Sequence, residues 1–101
     1  MDEMTASEKT GLVEVVHIRP KEGMADAILA MRPRFCSDLR EKTPGFISNA
    51  FYQMADGTFL DVVLWTDAAS LEAVDENHPL LEEWYDKVEI ISMETGVPVD
   101  A

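Results

Sequence analysis

At 101 residues, 47% of them hydrophobic, the chain has the size of one ordinary domain and too many apolar residues for a disordered tail. Its 20 acidic and 8 basic residues give a formal charge of -12, a field that repels phosphate backbones and anionic lipid surfaces, so neither nucleic acid nor membrane is an expected partner. A single cysteine, Cys36, excludes an intrachain disulfide; with no basic-then-apolar leader and no apolar run near the ~20 residues of a membrane span, a cytoplasmic domain is expected.

Residues 1–10 are polar and without period, and read as a flexible N-terminal arm ahead of a domain over 11–101. Leu12 to Ile18 (LVEVVHI) is short and rich in β-branched residues, which predicts a first strand. Pro20 and Gly23 punctuate its end. From Met24 the apolar positions recur at three or four residues, through Ala27, Ile28, Met31, Phe35 and Leu39, the stripe of an amphipathic helix ending by Lys42. Pro33 lies inside that stripe and predicts a kink or break near Met31 and Arg32. The charges of Arg32, Arg34 and Arg40 read as solvated.

Phe46 to Met54 predicts a second strand, Ala55-Asp56-Gly57 a hairpin turn, and Thr58 to Thr66 a third strand. Thr66 or Asp67 can cap a second helix carrying Ala68, Leu71 and Val74. Asn77-His78-Pro79 interrupts it, and proline suits the first turn of a new helical segment with Leu80, Leu81, Trp84, Tyr85 and Val88 as its stripe. A last strand is expected over about Glu89 to Glu94. The order is β-α-β-β-α-β.

Alternation sorts the third strand into Phe59, Asp61, Val63, Trp65 on one face and Leu60, Val62, Leu64 on the other. The second strand sorts into Ile47, Asn49, Phe51 and Phe46, Ala50, Tyr52, Met54. Both faces are largely apolar, yet two helices cover only one face of such a sheet. The bare face exceeds what soluble monomers expose, which predicts a homodimer packed sheet against sheet.

The strand order, the Thr43-Pro44-Gly45-Phe46 lead-in to the second strand, the Leu64-Trp65 end of the third, and the following helix broken near a histidine together resemble the antibiotic-biosynthesis monooxygenase domain family of the dimeric α/β-barrel superfamily. The resemblance covers about Gly11 to Val97. It implies an α+β, ferredoxin-like protomer with a four-stranded antiparallel sheet, paired into a barrel, with a pocket between sheet and helices. Family members include cofactor-independent monooxygenases of aromatic polyketides, quinol oxygenases and haem-degrading enzymes.

By the same resemblance Trp65 lines the substrate pocket. Polyketide-oxidising members carry an asparagine four residues before that tryptophan; this chain has Asp61, a carboxylate that burial could turn into a base for a phenol proton. A structural ion pair or a water-facing edge position is the other reading of Asp61. Haem-degrading members use an asparagine in the first strand, where this chain has Val16 beside His17, so haem degradation is the weaker match. His17 has a side chain suited to acid–base work at neutral pH or to a hydrogen-bonded wall. The expected catalytic residues are therefore Asp61 and His17. Trp65, Asn49, Met31, Phe35, His78 and Trp84 are the expected substrate contacts, although helical spacing of the last residues is equally that of a core and His78 equally suits a helix cap. No metal or cofactor is expected. The reading is an oxygenase for a small phenol, hydroquinone or anthrone with molecular oxygen; the alternative is a non-catalytic small-molecule binding or sensing dimer.

Overall fold

A computed structural model of the chain describes residues 11–74 and 78–99; the expected N-terminal arm lies outside them. The alternating β-branched run becomes β1 (Leu12–Pro20), with Glu14, Val16 and Ile18 buried on one face and Val13, Val15 and His17 half-buried on the other. The amphipathic stripe becomes α1 (Ala25–Lys42), which buries Ile28, Met31, Arg32 and Phe35. Pro33 does not break this 18-residue helix. It lies on the exposed side, where the Leu29 carbonyl that its missing N–H leaves free can bond water.

β2 (Phe46–Gln53) and β3 (Phe59–Trp65) form the hairpin expected around Asp56-Gly57. Two helices follow: α2 (Ala68–Glu72), capped by Asp67 accepting from the Ser70 N–H at 2.8 Å, and α3 (Pro79–Asp86), with His78 as its cap. β4 (Val88–Gly96) is longer than expected and closes the sheet beside β1.

The four antiparallel strands lie in the order β2-β3-β1-β4, so the fold is the ferredoxin-like β-α-β-β-α-β arrangement. The core lies between the sheet and its helices: Val16, Ile18, Phe59 and Val88 from the strands meet Ile28, Met31 and Phe35 of α1 and Leu81 and Trp84 of α3. A register shift between Phe46 and Ser48 corrects the sorting of β2. The irregularity pairs Phe46 with Trp65 and carries its ring to the helix-covered face, edge-on to Trp65 at 5.8 Å. Asn49 and Phe51 share that face, while Ala50 and Tyr52 stay on the open one. Among the described residues no helix is long and apolar enough to cross a membrane.

Candidate functional site

The helix-covered face of the sheet carries two carboxylates on its two central strands. Glu14 pairs with Val63, and Val16 with Asp61, so the acids are diagonal neighbours on one face. Both are buried. They open on a cavity of about 510 Å³ whose floor is β1, β3 and Met93 of β4, and whose roof includes Phe35 and Leu39 of α1, Leu71 and Glu72 of α2, and Leu81, Trp84 and Tyr85 of α3. Trp65 walls one end. No lysine, arginine or histidine lines this space among the described residues.

The two acids are handled differently. Asp61 receives a fork from Arg32: Nη2 donates to Oδ1 at 2.6 Å and Nη1 to Oδ2 at 3.0 Å. The guanidinium lies 4.1 Å over the Phe51 ring and 5.2 Å from the Trp84 centroid. Arg32 is thus a buried ion-pair partner rather than the solvated charge expected, because position 32 falls on the buried side of α1 between Ile28 and Phe35. A planar, delocalised cation suits this aromatic setting better than an ammonium would. Both oxygens of Asp61 are engaged, so its side chain is a structural ion pair bordering the cavity.

Among the described residues Glu14 has no cationic partner. Its Oε1 accepts the Trp65 indole N–H at 3.2 Å. Burial pushes its pKa above the ordinary value, the Trp65 hydrogen bond pulls it back, and the negative charge of Asp61 pushes it up again. A carboxyl that holds its proton more tightly than a free one, in an apolar cavity, is equipped to exchange a proton with a bound ligand. Sequence reading missed Glu14, although the signal existed: it is the acid that shares a face with Val16 and Ile18 in an otherwise apolar strand.

The other expected site residues separate into groups. Phe35, Trp84 and Trp65 line the cavity with Asp61, and Phe35 stacks on Trp84 at 4.8 Å. Met31 belongs to the core but not to the cavity wall. Asn49 lies under α1, where its amide donates to Cys36 Sγ at 2.9 Å. His17 projects from the open face, opposite Asp61 and Glu14, so a single chain cannot combine it with them in one pocket. The Thr58 hydroxyl donates to Asp56 Oδ1 at 2.6 Å, which leaves its oxygen to accept from His17 Nε2 at 2.7 Å. His78 caps α3: Nδ1 accepts the Leu80 N–H at 3.1 Å and Nε2 lies 2.8 Å from Asp38 Oδ2. This is the capping role, well served by a neutral ring with its proton on Nε2.

No protein-family model and no curated protein matches the sequence. Solved structures do match the fold. A Chloroflexus aurantiacus J-10-fl protein provisionally described as an antibiotic biosynthesis monooxygenase superposes with a TM-score of 0.70 at 17% identity, over 90% of this chain and 95% of that one. MupZ from Pseudomonas fluorescens gives 0.71 at 18% identity, over 91% of this chain and 70% of that one. SnoaB, a cofactor-independent oxygenase from Streptomyces nogalater, gives 0.67 at 14% identity, over 91% and 94%. The fold expected from the sequence is therefore shared with structures of the antibiotic-biosynthesis monooxygenase type; at these identities the likeness is one of fold.

Proposed function

We propose that the chain is an oxygenase for a small electron-rich aromatic, a phenol, hydroquinone or anthrone, bound in the cavity between sheet and helices. The observation that carries the reading is the Glu14 carboxyl, buried in an apolar space, raised in pKa and oriented by the Trp65 indole. The likeness of fold to a cofactor-independent oxygenase supports it. Trp65, Trp84 and Phe35 offer aromatic walls that would hold a ring in place and keep water from it.

In this mechanism Glu14 replaces Asp61 as the base, because both Asp61 oxygens are taken by Arg32. Glu14 removes the O–H or activated C–H proton of the substrate. The anion passes one electron to molecular oxygen, and the resulting pair joins through a C–O bond. Glu14 returns the proton to the peroxide oxygen, and loss of water leaves a carbonyl. The balance is substrate plus O2 to oxidised substrate plus H2O: two hydrogens leave the substrate, one oxygen atom stays and the other departs as water. The electrons come from the substrate itself. The open face of the sheet would be covered by a second copy of the chain.

Oxygen uptake with a panel of anthrones and hydroquinones tests the reading. Turnover above buffer that Glu14→Gln abolishes supports it. Uptake equal to buffer, with a ligand that nevertheless raises Tm, moves the protein to the binding or sensing alternative.

A further inference from the structure

We propose that Arg32 is a positioning residue that divides the labour between the two buried carboxylates, holding both Asp61 oxygens in a forked ion pair so that Glu14 is the carboxyl left to exchange a proton with a ligand. The inference rests on the reading of Glu14 as the proton-exchanging group, but its test needs no turnover.

The geometry supplies the argument. Two carboxylates facing one apolar cavity from diagonal positions of adjacent strands repel each other, and without a counter-charge each makes ionisation of the other harder. Neither residue then has a defined role as base. Arg32 removes that ambiguity from outside the cavity wall. Its fork occupies both Asp61 oxygens, and the rings of Phe51, Trp84 and Phe35 hold the guanidinium plane within 5.6 Å, so the pair cannot rotate toward the ligand space without unstacking. The ion pair also presents Glu14 with a dipole in place of a bare negative charge, and a dipole's field falls off faster with distance. The remaining ionisable groups on the cavity wall are Glu72 of α2 and Tyr85 of α3. Among the described residues no cation lines the cavity wall, and Arg32, forked onto Asp61, is the positive group beside these acids. Environments that hold two neighbouring acids in different states are the usual way a site assigns their roles.

The experiment is a pH titration of the intact chain labelled with 13C at the Asp and Glu side-chain carboxyls, with the Trp65 indole N–H as a second reporter. In the wild-type protein Glu14 is expected to titrate in one step, and the indole signal to follow it. In Arg32→Met the first protonation of the Glu14–Asp61 pair is expected to move up by about one pH unit or more, with both carboxyl signals responding to it. Arg32→Lys keeps the charge and should restore most of the separation. Asp61→Asn removes the neighbouring anion and leaves the cation, so Glu14 is expected to titrate lower than in wild type. That variant keeps an acceptor oxygen for Arg32, and it decides the matter if Arg32→Met does not fold. A Glu14 midpoint that stays put in Asp61→Asn, or a pair in Arg32→Met that titrates as in wild type, overturns the proposal. Loss of oxygen uptake with an unchanged titration would instead bear on the oxygenase reading alone.

Discussion

At the scale of single residues, the raised pKa of Glu14 makes a statement about stability as well as chemistry. Its folded-state value lies above the ordinary 4.5 because burial disfavours the carboxylate. Between the unfolded and folded values the native state therefore binds more protons, and stability falls as pH rises through that window. Glu14→Gln has no proton to lose, so its unfolding free energy should stay flatter above about pH 4.5, measured by urea unfolding at several pH values. The same variant should lose on the order of 100-fold or more in oxygen uptake, the usual share of a positioned general base. Trp65→Phe keeps most of the apolar wall and deletes the hydrogen bond that favours the carboxylate. Glu14 should then titrate higher still, which the 13C carboxyl signal reports. The separation of Asp61 from Glu14 is only half legible in the sequence. An acid at position 61 between Leu60 and Val62 signals a buried or paired carboxylate, but its partner lies 29 residues away on a helix. A period-3.6 stripe accepts an arginine between Ile28 and Phe35 as readily in the core as beside it, since its stem is apolar.

At the scale of elements, the β2 lead-in and the helix caps fix how the roof of the cavity meets its floor. Gly45 has φ +91°, its carbonyl accepts the Thr66 N–H at 2.8 Å, and a Cβ there would overlap the Ser70 side chain at the start of α2. Gly57 in the hairpin has φ +90° and open space around it. Gly57→Ala should therefore cost about 1 kcal/mol, the backbone penalty alone. Gly45→Ala adds the clash and should cost about 2–4 kcal/mol. Paired thermal melts check the difference. His78→Ala removes an acceptor for the Leu80 N–H and the contact to Asp38 on α1, and is expected to lower stability by about 1–2 kcal/mol. The type and order of these elements follow from period and punctuation. What did not follow was the side of the sheet taken by Phe46, because the register shift before Ser48 depends on pairing with β3 and leaves no trace in a strict alternation. Pro33 misled for a related reason: a proline on the exposed face of a long helix costs one hydrogen bond to a carbonyl that water can satisfy.

At the scale of the whole molecule, the open side of the sheet and the charge pull in opposite directions. Val13 and Val15 of β1, Leu60, Val62 and Leu64 of β3, and Ala50 and Tyr52 of β2 form one continuous face that no helix covers among the described residues, and Tyr52 is 53% exposed. Three strands at ~4.8 Å spacing and seven residues at ~3.4 Å make this face about 340 Å² before side-chain relief is counted, a continuous apolar patch of the size that marks interaction surfaces. A second chain placed on it would bring together two molecules of charge -12, which repel at low ionic strength. The expected outcome is a dimer by sedimentation velocity whose dissociation constant falls as NaCl is raised from about 20 mM to about 500 mM, since salt screens the repulsion and leaves the apolar contact intact. Val62→Asp distinguishes this from non-specific association. Val62 pairs with Val15 and Ala50 near the middle of the face, so an aspartate there faces water in a lone chain but a desolvated apolar layer in a pair. The variant should remain folded by circular dichroism and sediment as one chain at both salt concentrations. A wild-type protein that sediments as a monomer at 500 mM salt would remove the paired assembly, while the cavity on the other face of the sheet would keep its own tests.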